Sequence, residues 1–89
     1  MMIEYDADKD AANRAKHGVS LAEAKALEWD TLLAMEDRRR DYGERRMIGY
    51  ALMGARLFCV VFVDRGEARR IISLRKANTR EVKRYVASS

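Results

Sequence analysis

Five cationic side chains fall within ten residues near the end of the chain: Arg75, Lys76, Arg80, Lys83 and Arg84. Guanidinium groups grip phosphate through paired hydrogen bonds, and a cluster of them can stabilise the extra negative charge of a phosphorane-like transition state. Arg75 and Arg80 are the foremost candidates for that role, with Lys76 able to assist. The competing reading of the same residues is a solvated helix face with ordinary i, i+4 pairing. Regional charge favours the functional one. Residues 65–89 hold eight Lys or Arg against two acids, a balance of +6, whereas the remaining 64 residues come to −2. So directed a cationic face suits a polyanion, and RNA is the leading candidate.

Proton transfer has three candidates. His17 is the only side chain whose ordinary pKa lies near neutrality. It also follows Lys16 at an expected helix end, where a histidine favours the helix dipole without any chemistry. Tyr85, five residues beyond Arg80, could stack on a base or move a proton. A tyrosine beside Val82 and Val86 equally suits a core position with its hydroxyl at the rim. Glu81 could accept a proton, or serve only as a capping carboxylate.

Other chemistries find little support. One His and one Cys, Cys59, lie far apart, and Asp6, Asp8 and Asp10 lack the glycine and terminal glutamate of a calcium loop. No P-loop, dinucleotide fingerprint or nucleophile elbow is present. No metal or cofactor is expected.

The elements that position these groups follow from pattern. Eighty-nine residues, 48% hydrophobic and 36% charged, suit a single domain over 1–89 that buries roughly 60–65% of its unfolded surface. The lone cysteine fits a reducing cytoplasm, and the acidic start and short apolar runs give neither a secretory signal nor a membrane span. Met2–Tyr5 reads as a first strand. Asp6 or Asp8 can cap a helix to about His17, with Gly18 ending it in the left-handed conformation. Ser20 and Glu23 form a capping box that opens a second helix from about Leu21 to Trp29, with Leu21, Ala24 and Leu27, and Trp29 as a further candidate, in its apolar stripe.

Strand periodicity then takes over at Thr31–Glu36, Arg46–Met53, Leu57–Val63 and Arg69–Leu74, with polar residues Asp37–Arg46 as a long loop. This spells an antiparallel meander. The wholly apolar Leu57–Val63 belongs at its centre, covered on both sides. Asn78 and Glu81 make a second capping box opening a helix to about Ala87, with Arg80, Lys83 and Arg84 outward along with Lys76. The expected fold is α+β: a compact antiparallel sheet with two N-terminal helices and one C-terminal helix.

These residues also resemble a known pattern. Ile3-Glu4-Tyr5-Asp6, Lys9, Asn13, Lys16-His17-Gly18-Val19-Ser20 and Glu23-Ala24 are similar to the N-terminal signature of the BrnT family of bacterial toxins. Glu44-Arg45, Arg56, Val60-Val61, Arg65-Gly66, the run Arg70 to Ala77, Glu81 and Tyr85 resemble the remainder. The similarity covers nearly the whole chain. Ile3 and Tyr5 stand where larger aromatics are usual, and Leu74 where alanine is; neither departure touches the proposed chemistry.

The resemblance implies a RelE-like fold and a ribonuclease toxin of a type II toxin–antitoxin pair that inhibits translation and growth. It also implies a BrnA-like antitoxin, which contacts DNA and holds the toxin inactive in a hetero-oligomer. Cleavage by attack of the 2′-hydroxyl on its own phosphate needs a proton acceptor, cationic stabilisation and a donor to the leaving oxygen. Arg75, Arg80 and Lys76 would stabilise, while His17, Glu81 and Tyr85 compete for proton transfer. Lys16, Arg56, Arg70, Lys83 and Arg84 would hold RNA. The alternative is a non-catalytic module that binds nucleic acid or a regulatory partner.

Overall fold

Of the two aspartates that could start the first helix, Asp6 does so: the residue is extended and its carboxylate accepts from the backbone N–H of Lys9 at 3.0 Å. In the computed structural model, which describes residues 1–89, helix α1 runs Ala7–His17. Gly18 ends it at φ 72°, where a Cβ would be strained, and donates its N–H to the Arg14 carbonyl. On the inner face, buried Asn13 donates to the carbonyls of Val19 and Leu74, both at 2.8 Å, and accepts from the Leu74 N–H at 3.2 Å. One side chain thus ties the helix, the turn after it and the last strand together.

The second N-terminal helix is not an α-helix, and the structure has one N-terminal helix where the sequence suggests two. The Ser20–Glu23 capping box forms, but it opens a 3-10 segment, Leu21–Ala26. The spacing explains why. Leu21, Ala24 and Leu27 recur every three residues and are all buried, whereas Lys25 and Glu28, which an α-helical stripe would also need, are exposed. Three residues per turn stacks i over i+3 and suits only short runs. Asp10 stitches the segment to α1, its carboxylate accepting from the Ser20 hydroxyl at 2.9 Å and the Leu21 N–H at 2.7 Å. Trp29 belongs to the strand that follows.

Five strands make one sheet: β1 Met2–Glu4, β2 Glu28–Glu36, β3 Arg46–Met53, β4 Arg56–Arg65 and β5 Ala68–Lys76, in the order β1-β5-β4-β3-β2. The meander from β2 to β5 is antiparallel, but β1 joins β5 in parallel, Ile3 opposite Arg69. The sheet is therefore mixed, not antiparallel. Consecutive hairpins leave β5 with a free edge, and a three-residue strand carries no pattern that could reveal which edge it fills or in which direction.

The apolar run Leu57–Val63 lies in β4 at the sheet centre and is buried throughout. Phe58, Val60 and Phe62 face one layer, packing with Ala51, Ile71 and Leu74 against Val19, Leu21, Ala24 and Leu27. The two β5 members are three apart because a bulge intervenes: Val61 pairs with Ser73 but Phe62 with Ile71, so Ile72 is the extra residue. A second irregularity lies in β2, which begins at Glu28 rather than Thr31. There the Thr31 hydroxyl donates to the Glu28 carbonyl and accepts from the Leu52 N–H. Gly49 permits close approach here, since a Cβ would meet the Ala34 side chain and the Leu33 carbonyl at 2.8 Å.

Helix α2, Thr79–Ser88, follows the Asn78 capping box: Asn78 Oδ1 accepts from the Glu81 N–H at 2.8 Å, and Glu81 Oε1 from the Asn78 N–H at 2.9 Å. Lys76 precedes it as the last residue of β5. No helix is long and apolar enough to cross a membrane.

Candidate active site

Sheet register sets the site. On the face away from α1, Tyr50 of β3 pairs with Cys59 of β4, and Cys59 with Arg75 of β5, so the three lie side by side. Glu81, one turn into α2, reaches back to this row. Arg75 meets it fork to fork, Nη1 donating to Oε1 and Nη2 to Oε2, both at 2.9 Å, while the Tyr50 hydroxyl donates to Oε2 at 2.9 Å. With the Asn78 N–H, the buried carboxylate receives four hydrogen bonds.

That environment decides what each group can do. The Arg75 hydrogen bonds, aided by the Asn78 N–H and Tyr50, hold the Glu81 carboxyl at about 2, so it stays ionised and is a poor proton acceptor. Arg75 is raised above its already high value by the same contact. Burial, then the Glu81 hydrogen bond, pushes Tyr50 up to about 12. Cys59 is buried and its thiol is likewise raised, chiefly by burial, which makes it inert.

Arg75 is nevertheless not fully engaged. Its Nη1 also donates to the Lys76 carbonyl at 3.3 Å, so of the five guanidinium donors the Nε–H and one Nη2–H remain. The side chain is 33% exposed, enough to present them to an incoming anion.

Other candidates gather at the same end of the sheet. Arg56 opens β4 beside the end of β5, where the Ala77 N–H donates to the Leu57 carbonyl. His17 and exposed Lys16 end α1, one turn beyond the Asn13 tie to Leu74. Burial lowers the His17 pKa, and the charges of Lys16 and Arg75 lower it further, which puts the imidazole within the field of Arg75. Lys76, Arg80, Lys83 and Arg84 are exposed, and none joins an ion pair. Arg80, Lys83 and Arg84 line a shallow depression on α2 of about 490 Å³ with Thr79 and Ala87.

Two candidates are placed differently. The Tyr85 hydroxyl donates to the Thr31 carbonyl at 2.5 Å, which fastens α2 to β2 and occupies the proton. Arg70 is roughly 16 Å from Arg75 along β5 at about 3.3 Å per residue, across from Val63 and 4.0 Å from Glu4. It is not brought to the site.

Sequence reasoning missed Tyr50, which sits in an apolar strand with no signal linking it to position 81. The expected loop forms over residues 37–45, with contacts of its own that its composition does not reveal. There, buried Asp37 accepts both arms of Arg39 at 2.8 Å and the Tyr42 hydroxyl at 3.3 Å, and the Arg46 guanidinium lies 3.8 Å over the Tyr42 ring. Nowhere do three or more His, Cys, Asp or Glu side chains converge in a way that could hold a metal ion.

No curated protein matches the chain. A family model does: the ribonuclease toxin BrnT of type II toxin–antitoxin systems, over residues 5–81. That match takes in both the Lys16–Ser20 turn and the Arg75–Glu81 pair. By its extent, this chain belongs to the BrnT family of ribonuclease toxins.

Proposed function

We propose that this protein, acting as a single domain over residues 1–89, is a cytoplasmic endoribonuclease that cleaves RNA without a metal and thereby inhibits translation and growth. A BrnA-like antitoxin, itself contacting DNA, would neutralise it in a hetero-oligomeric complex. The observation that carries the mechanism is the incompletely used fork of Arg75: Glu81 fixes its plane and leaves the Nε–H and one Nη2–H without a partner on a partly exposed side chain. These donors take the non-bridging phosphate oxygens as the 2′-oxygen bonds to phosphorus and the bond to the 5′-oxygen breaks, that oxygen taking its proton from solvent.

Glu81 cancels part of the Arg75 charge. The net positive field therefore comes from the unpaired Arg80, Lys83, Arg84 and Lys76, with Arg56 and Lys16 at the flanks. Lys76 and Arg80 assist in stabilising the phosphorane. His17 accepts the 2′-hydroxyl proton, because its lowered pKa keeps it neutral at physiological pH. Glu81 and Tyr85 act as positioning residues, the one orienting Arg75 and the other holding α2.

The test is incubation of purified, partner-free protein with a defined RNA in EDTA. Products ending in 2′,3′-cyclic phosphate, lost in Arg75→Ala, are expected. Cleavage that persists undiminished in a folded Arg75→Ala, Arg80→Ala double variant would overturn the site. RNA left intact both free and in a translating extract would overturn the activity.

A further inference from the structure

A groove of about 470 Å³ runs between α2 and the outer strands, with Leu33, Met35 and Ile48 as its floor, Tyr85 as its wall and Arg84 at its rim. Its inner end is Tyr50 and Glu81, the two groups that stand behind Arg75. Leu33 is 41% exposed and Met35 70%, an uncovered apolar pair on a strand whose other exposed residues are Glu28, Asp30 and Ala34. We infer that this groove docks an extended, acidic segment of the antitoxin, whose apolar side chains enter it while the segment pairs with the free edge of β2.

Three observations select that occupant. β2 is the last strand of the sheet, so one side of its backbone has no strand neighbour and can accept another by edge addition. The groove is too small for a whole interface but fits one or two side chains, the size of a buried anchor. Its rim cation, Arg84, has no acidic partner within the chain, and Arg80 and Lys83 stand nearby on α2, so an acidic segment is complementary. An apolar floor of Leu33, Met35 and Ile48 offers nothing to a phosphate backbone, which argues against RNA as the occupant.

The inference rests on the toxin reading for the existence of the partner, but not on catalysis. A segment seated here touches Tyr50 and Glu81, so it can inhibit by shifting the plane of Arg75 as well as by engaging Arg84 at the edge of the cationic face.

The experiment uses the full chain with the product of the reading frame adjoining its own. Affinity and mass of the complex are measured beside RNA cleavage by the partner-free protein. Leu33→Asp and Met35→Glu, both at exposed positions, are each expected to weaken the complex roughly 30- to 100-fold while cleavage is unchanged. Met2→Glu, equally exposed at the opposite edge of the sheet, should bind like the parent. Unchanged binding in the groove variants, or no complex with the parent protein, overturns the proposal. So does loss of a homodimer instead of the mixed complex, which makes a second copy the occupant. Loss of cleavage together with binding would make the groove an RNA surface and overturn it too. Failure of the parent to cleave RNA strikes the catalytic reading alone, because the complex is read by mass and affinity.

Discussion

Arg75 and Glu81 face each other fork to fork, with both hydrogen bonds at 2.9 Å, across the junction between the last strand and the last helix. The carboxylate is buried and the guanidinium partly open, so one partner serves as anchor and the other as working group. Glu81→Gln keeps the shape but removes the charge. RNA cleavage should fall about 10- to 100-fold, as expected when a transition-state donor loses its fixed orientation. Stability should fall by about 1–3 kcal/mol, the cost of weakening a charged hydrogen-bond set. Single-turnover cleavage and urea unfolding of the same variant separate the two effects. Full activity would mean that the pair is only structural.

Acid stability should carry the signature of the same carboxyl. Its folded pKa of about 2 lies below the ordinary 4.5, so its stabilising contribution is complete above 4.5 and is lost as pH falls toward 2. Asp37, lowered chiefly by the Arg39 hydrogen bond, acts in the same direction. Urea midpoints measured from pH 7 to pH 2 should decline below about 4.5, and the decline should be shallower in Glu81→Gln. An equally steep decline in that variant would locate the acid sensitivity elsewhere.

The pH profile of cleavage tests His17. Because burial and neighbouring cations lower its pKa from 6.5, the neutral, proton-accepting form predominates at pH 7. The rate should fall along an acid limb with its midpoint below 6.5. His17→Ala should lose about 10²- to 10⁴-fold, the usual contribution of a general base, and its acid limb should disappear. A surviving limb with the same midpoint would assign it to another group.

Salt dependence separates steering from chemistry. Lys83→Ala should weaken RNA binding without regard to sequence and reduce the slope of log affinity against log salt by about 0.7, the value for one contact to a single strand. The cleavage rate of bound RNA should remain unchanged. If the slope does not move, the depression on α2 is not part of the RNA path.

Asn13 links stability to the site at a distance. Its side chain makes three hydrogen bonds, two of them to Leu74, the residue before Arg75. Asn13→Ala strands buried backbone groups and should cost about 2–4 kcal/mol. Thermal unfolding checks the magnitude. Reduced cleavage well below the melting transition would show that α1 also holds the register of the catalytic strand.

Local features of the sequence determined a good deal. Asp6, one of two aspartates offered for the first cap, Ser20 and Asn78 make three caps that form as their chemistry requires, and Gly18 stops α1 at a positive φ where a Cβ would be strained. Each depends on groups three or four residues apart, so the signal survives without knowledge of the fold. The unbroken apolar run of β4 places it centrally by the same economy, since nothing else could cover both of its faces. The excess of positive charge near the C-terminus is likewise readable, because unpaired surface cations need no partner to be counted.

Tertiary structure decided the rest. The three-residue spacing of Leu21, Ala24 and Leu27 became a 3-10 segment because α1 and the sheet bury only that stripe. The direction of β1 depended on which edge the meander left open. Most consequentially, only the fold brings Tyr50 next to Glu81, 31 residues later, and fastens Tyr85 to Thr31. Residue type showed that Arg75, Glu81, Tyr85 and His17 could do chemistry. Whether a donor or acceptor is free depends on what lies within 3 Å of it, and that is a property of packing between distant segments.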